Sequence, residues 1–319
     1  MCILDYLIHC NPLEKNDMKV RTRDFTLRKY RLLLSCLAEQ GYVFQTFEDY
    51  FRSVQSPAVI LRHDVDRLPA NALKMALVEK NLAIRASYHF RYKSLRMDGH
   101  IIKQIASYDH EIAYHYEDMS RQKNHFPGVE TDITERIAEE ALKSFLSNLT
   151  HLRKYYPVRV ISMHGSPSKT IDNRLLWKYY DYHDFEIVCE PYFDISHSDI
   201  LYLTDTGRMW DGDRYNFRDK ASDVMNRGIT NRFDEWKVKP VLGSLMNMSP
   251  EAIELKGRYK VHTTEEIIQS ARAGGLPSKL IINTHPQRWN DLVVPWVNQA
   301  IGQSVRNILK LGMIKLGIR

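Results

Sequence analysis

From residue 58 the chain switches repeatedly between short β-rich runs and amphipathic helical runs, and this alternation narrows the fold more than any other feature. Ala58 to Arg62 reads as a buried strand that stops at the polar group His63-Asp64-Val65-Asp66. Pro69 suits the first turn of a helix through about Lys80, with Leu73, Ala76 and Leu77 on one face. Arg85 to Phe90 is the next strand, and Gly99 to Ser107 is a short helix with Ile101, Ile102 and Ile105 inward. Glu111 to Tyr116 is a third strand. Asp132 and Glu135 make a capping box for a long helix carrying Ile137, Ala141, Phe145, Leu149 and Leu152 at helical spacing, which Pro157 stops. Val158 to Met163 is a fourth strand running into His164-Gly165-Ser166-Pro167, and Leu280 to Thr284 is a late strand running into His285-Pro286.

Strands alternating with helices imply parallel βαβ units, hence a barrel or an open doubly wound sheet. In either architecture sites form where the strands end at their C-terminal edge, and four strands here deliver Asp or His to that edge. The chain reads as one domain of α/β class. Residues 1–50 form a largely helical N-terminal extension with Leu33, Leu34 and Leu37 packing inward, 58–290 the core, and 291–319 a C-terminal helix. Residues 186–250, rich in Asp, Arg, Tyr and Trp, read as long loops on the face that carries the site.

Composition bears on class and compartment. Hydrophobic residues make up 44% and charged residues 26% of 319, which fits a packed globular protein and not a disordered one. The formal net charge of +6 is spread along the chain, and no Lys/Arg run interleaved with aromatics marks a nucleic-acid groove. Cys2, Cys10, Cys36 and Cys189 are scattered with no CxxC spacing, which reads as reduced thiols. Met1 to Cys10 lacks the basic front end and cleavage site of a secretion signal, and no run of eighteen apolar residues occurs. The expectation is a cytoplasmic protein.

Asp64 and Asp66 flank Val65 at a strand end, so alternation sends both carboxylates to the same side, one for a metal and one as a base. The competing reading makes Asp66 the cap of the helix that begins near Pro69. His115, His164 and His285 are each ordinary when taken singly. Together, two Asp and three His at like ends of different strands form a metal-hydrolase constellation.

His63-Asp64-Val65-Asp66, then His110-Glu111-Ile112-Ala113-Tyr114-His115, then Asn283-Thr284-His285 resemble in order and spacing the polysaccharide deacetylase superfamily (NodB-homology, carbohydrate esterase family 4), over roughly residues 58–290. The resemblance implies a distorted (β/α) barrel of about seven parallel strands and a divalent ion, zinc or another, on an Asp-His-His triad. It implies that Asp64 is the base that activates water, Asp66 the metal carboxylate, His115 the first histidine ligand, and His285 the acid that protonates a leaving amine. The substrate it implies is an N-acylated sugar, whether nucleotide-linked, lipid-linked or polymeric, in cell-surface polysaccharide assembly.

The chain departs from that pattern where the second histidine ligand belongs, four residues after the first, because Met119 stands there. A thioether is a poor ligand for a hard or borderline ion. His164 is the candidate replacement and Glu117 the reserve.

Glu190, Asp205, Arg208 and Trp210 supply the mix of aromatic, acidic and basic side chains that binds sugars, although Trp210 can equally plug the core. The basic, amphipathic tail Val305 to Lys315 either packs on the barrel or meets an anionic membrane surface. Two other functions stay open: hydrolysis of a non-sugar amide, and saccharide binding without catalysis. A binding protein has no need of both Asp64 and His285.

Overall fold

The computed structural model describes residues 23–91, 99–122, 131–165, 171–195, 199–210 and 259–315. In chain order the first elements are α1 (Leu27–Glu39), β1 (Val43–Gln45), α2 (Phe47–Arg52), β2 (Ala58–Val65), α3 (Pro69–Lys80), β3 (Ser87–Phe90), α4 (Gly99–Ala106) and β4 (Glu111–Tyr116). There follow α5 (Asp118–Gln122), α6 (Thr131–Arg153), β5 (Ile161–Met163), α7 (Pro191–Asp194), β6 (Leu201–Thr204), α8 (Thr264–Arg272), β7 (Lys279–Thr284) and α9 (Val293–Lys315).

The seven strands are all parallel and run in the order β5-β4-β3-β2-β7-β6, while β1 lies against the first half of β2. β1 faces Ala58 to Ile60, and β3 takes over from Arg62 onward. The sheet curls into a half-barrel with helices around it, which settles the choice left between barrel and open sheet. Beyond β5 the segment through Cys189 adds a single parallel bridge to Val160.

The N-terminal segment is more than a helical extension. Thr26 caps α1 by accepting from the Lys29 N–H at 3.1 Å, and Leu33, Leu34 and Leu37 are fully buried where α1 packs on α3 and α8. Each such leucine contributes about 2 kcal/mol of burial. Because β1 pairs with β2, the sheet begins at Val43 and not at residue 58. Met1 to Thr22 lie outside the described residues, as does 211–258, the larger part of the segment expected to form loops over the site.

The pleat divides each strand between two environments. Val59, Leu61, Tyr88, Ile112, Tyr114, Ile161 and Ile282 join the outer core under the helices, whereas Ile60, Ala113, Val160, Cys189 and Ile281 form a small apolar plug inside the barrel. Two residues further along each strand the inward side chain turns polar: Arg62 after Ile60, His115 after Ala113, Ser162 after Val160, Asn283 after Ile281. One pleat is roughly 6–7 Å of rise, so a dry floor lies directly beneath a polar mouth.

Candidate metal centre

β2 runs through His63 and Asp64 to Val65, which extends the strand past its expected end. His63 therefore faces outward, away from the mouth. Its Nε2 lies 2.8 Å from Glu79 and its Nδ1 2.7 Å from the Thr284 hydroxyl, while Tyr30 and Tyr88 donate their hydroxyls to the same carboxylate at 2.5 and 2.7 Å. Asp64, one residue on, faces inward. It takes a two-pronged ion pair from Arg62, with Nε at 2.8 Å and Nη2 at 3.1 Å, and a hydrogen bond from Asn283 Nδ2 at 2.9 Å.

A tight turn follows, in which the Asp66 N–H donates to the Asp64 carbonyl at 3.0 Å. It turns Asp66 back over the mouth, where Oδ1 lies 3.6 Å from His164 Nε2 and 3.9 Å from His115 Nε2. One donor atom from each of these residues can be chosen so that all three lie within 4.8 Å of one another. The cap reading of Asp66 is overturned: α3 starts from Leu68, and no side chain caps it.

The ligand candidates are oriented from behind. His115 Nδ1 lies 3.0 Å from the Ser162 carbonyl, which can only accept, so the ring carries its hydrogen there and turns the Nε2 lone pair toward Asp66. His164 Nδ1 lies 3.3 Å from Glu117 Oε2, and Arg91 donates to that oxygen at 2.5 Å. Glu117 thus pairs with Arg91 behind His164, and the three residues that come together are Asp66, His115 and His164. Met119, on α5, is buried in the outer core and away from the mouth.

Burial and neighbouring charge set the protonation states. Burial pushes His115 down to about 4, which leaves it neutral and able to ligate at neutral pH. Burial opposes ionisation of Asp64, yet Arg62 and then His115 hold its carboxyl well below the ordinary range. Burial likewise opposes ionisation of Asp66, and His164, His285 and His115 outweigh it. Glu117 is brought to about 2 against burial by His164 and Arg91.

Among the described residues four carboxylates surround the mouth, and three of them hydrogen-bond an arginine: Asp64 with Arg62, Glu117 with Arg91, and Asp205 with Arg288. Asp66 is the exception. Its Oδ1 is buried and accepts no hydrogen bond from the described residues, with Arg91 Nη1 standing off at 3.8 Å. A buried carboxylate oxygen beside the Nε2 atoms of His115 and His164 is a donor set that a divalent ion would complete. Asp66, His115 and His164 therefore fit a metal.

His285 completes the ring around Asp66, its Nε2 4.0 Å from Asp66 Oδ2. Asp205 grips it twice, at 2.7 Å from Nδ1 and 3.0 Å from the backbone N–H. Asp205 also accepts from Arg288, and from Trp289 Nε1 at 2.8 Å.

Of the expected sugar contacts, Asp205 is buried and serves to hold His285. Glu190 is fully buried, where it caps α7 through the Tyr192 N–H at 2.6 Å and accepts from the Met163 N–H at 2.9 Å. Trp210 packs on Phe25 and Trp289 and donates to the Thr264 hydroxyl, the core-plug reading. Arg208 lies over the rings of Trp296 and Phe25 and hydrogen-bonds Gln299. All four are engaged with the protein itself: Glu190 beside β5, Asp205 on His285, Trp210 against the start of α8 and Arg208 against α9.

Sequence reasoning passed over Arg62, Ser162, Asn283 and Arg91. The first three each precede a site residue by two positions, Asp64, His164 and His285 respectively, so strand alternation alone places them on the same face.

No protein-family profile matches the chain, and no curated protein sequence does. Among solved structures it is similar to a carbohydrate esterase family 4 pseudoenzyme from Bacillus anthracis at 10% identity and a TM-score of 0.34, covering 79% of this chain and 60% of that one. It is also similar to a mutant peptidoglycan deacetylase from Bacillus subtilis at 11% identity and a TM-score of 0.31, covering 79% and 95%. Scores this low carry no argument about function.

Proposed function

We propose that the protein is a metal-dependent hydrolase that removes an N-acyl group, acetyl by the sequence resemblance, from a sugar destined for a cell-surface polysaccharide. The observation that carries this reading is the Asp66 carboxylate, whose Oδ1 accepts no hydrogen bond from the described residues, set between His115 and His164 with a second carboxylate and a third histidine beside it. The resemblance of the three sequence blocks, ending at Asp66, His115 and His285, supplies the substrate class. The substrate is a nucleotide-linked, lipid-linked or polymeric sugar, and the place of action the cytoplasm.

Asp66, His115 and His164 would hold the ion. When bound, a divalent ion such as zinc lowers the pKa of water from ~16 towards ~7 and polarises a carbonyl. Asp64 takes the proton of the attacking water. Arg62 keeps that carboxylate ionised and Asn283 fixes one of its oxygens, so its remaining lone pairs face the mouth. His285 presents Nε2 to the same space because Asp205 secures Nδ1. From Nε2 it gives a proton to the departing amine, which leaves poorly unless protonated.

The test is metal content by mass spectrometry on protein purified without a metal-affinity tag, beside Asp66→Ala, followed by hydrolysis of N-acetylated sugars. About one divalent ion per chain, absent from Asp66→Ala, with acetate released from a sugar substrate, is the expected result. A chain that stays metal-free after reconstitution sinks the proposal.

A further inference from the structure

On α9 the side chains of Val294, Ile301, Val305, Ile308 and Leu309 are each 52–68% exposed. At 100° per residue they fall on one stripe roughly 100° wide. The opposite face is the one that packs: Gln303 is buried, and Asn307 Nδ2 donates to the Gly207 carbonyl at 3.0 Å. The stripe thus has no cover among the described residues. It lies beside the mouth, because α9 rests on the turns Thr206–Arg208 and Pro286–Arg288, which directly follow β6 and β7.

Charge identifies the partner. Residues 292–319 contain Arg306, Lys310, Lys315 and Arg319 and no Asp or Glu. Arg306 and Arg67 are exposed and close enough to repel one another. Next to Arg67, and two residues beyond Asp66, Leu68 is 59% exposed and held in the left-handed region at φ 52°, so a further apolar side chain stands at the mouth. A second copy seated on this stripe would set like charges against like. An apolar stripe flanked by cations complements a surface that is apolar within and anionic outside.

We propose that α9, with Leu68 and Arg67, docks the chain on an anionic lipid surface with the Asp66–His115–His164 mouth beside it. No helix among the described residues is long and apolar enough to cross a membrane, so α9 lies along the interface. The inference needs no assumption about the reaction.

The experiment is sedimentation of the full chain with vesicles of phosphatidylcholine alone and with phosphatidylglycerol added. Binding is expected only to the anionic vesicles, weakening as salt rises. Ile308→Asp should lower the bound fraction roughly tenfold, the effect of withdrawing one large aliphatic side chain from an apolar phase, and Arg306→Glu should lower it too. Both side chains are exposed, so an unchanged melting curve and metal content show that the fold persists. Absence of binding to anionic vesicles overturns the proposal, as does binding that ignores lipid charge or Ile308→Asp. A dimer abolished by Ile308→Asp, without vesicle binding, overturns it in favour of self-association. Since lipid binding is read without turnover, failure here leaves the hydrolase reading untouched.

Discussion

Asp66 Oδ1 and His164 Nε2 stand 3.6 Å apart, and among the described residues no donor hydrogen-bonds that oxygen. The two residues leave different strands, β2 and β5, yet they approach as a pair that needs a third member. Under the proposed assignment the second histidine would come from the end of β5, while Met119 fills the core.

His164→Ala should abolish stoichiometric zinc binding, and Glu117→Gln should weaken it about 10–100-fold by releasing the ring from behind. Competition with a chromophoric chelator measures both. Full zinc occupancy in His164→Ala would remove this residue from the ligand set.

His285→Ala should lower kcat by about 10²–10⁴ while zinc content stays at the wild-type level. Asp205→Asn should lower kcat through the orientation of His285, and its loss should not add to that of His285→Ala in the double variant. Full additivity would separate the two residues.

Glu111 is buried, and burial raises it from 4.5 to about 7 against the hydrogen bonds from Ser87 and the Glu48 N–H. The folded state therefore holds this proton more tightly than the unfolded chain does. Its contribution is fully present below pH 4.5 and is lost as pH rises through about 7, a change on the order of 3 kcal/mol. Thermal melts between pH 5 and 9 should show Glu111→Gln losing less stability than wild type; parallel curves would contradict this.

Trp210→Ala should cost about 3–5 kcal/mol of stability, as for a core aromatic, and leave KM for a sugar unchanged. Chemical denaturation and steady-state kinetics check the two halves. A raised KM with little loss of stability would return Trp210 to the substrate.

Much of the fold was readable before any coordinates because hydrophobic period and turn chemistry act locally. Pro69 and Lys80 bound α3 as expected, and Leu33, Leu34 and Leu37 are as buried as their spacing implied. β1 escaped notice because three residues, Val43 to Gln45, are too short for alternation to register. The site was readable where strand ends carry Asp or His. The sugar contacts were not, since side chains such as Arg208 and Trp210 look alike whether they meet a ligand or a neighbouring helix; only the position of α8 and α9 decides. The arginine pairings follow the same divide: Arg62 lies two residues from Asp64 on one strand, whereas Arg91 reaches Glu117 across two.

β5 has three residues, and its outer edge is joined by a single bridge. His164 follows directly from it, while Asp66 and His115 belong to β2 and β4, strands separated by β3. An ion on these three ligands would act as a clasp, fastening one margin of the sheet to its centre across a strand that contributes no ligand. Occupancy and mechanical integrity of that margin would then rise and fall together, since a ligand bound only by the folded form stabilises it by mass action. Stripping the metal would free the margin first, and amide exchange at Ile161 to Met163 would quicken before the rest of the barrel.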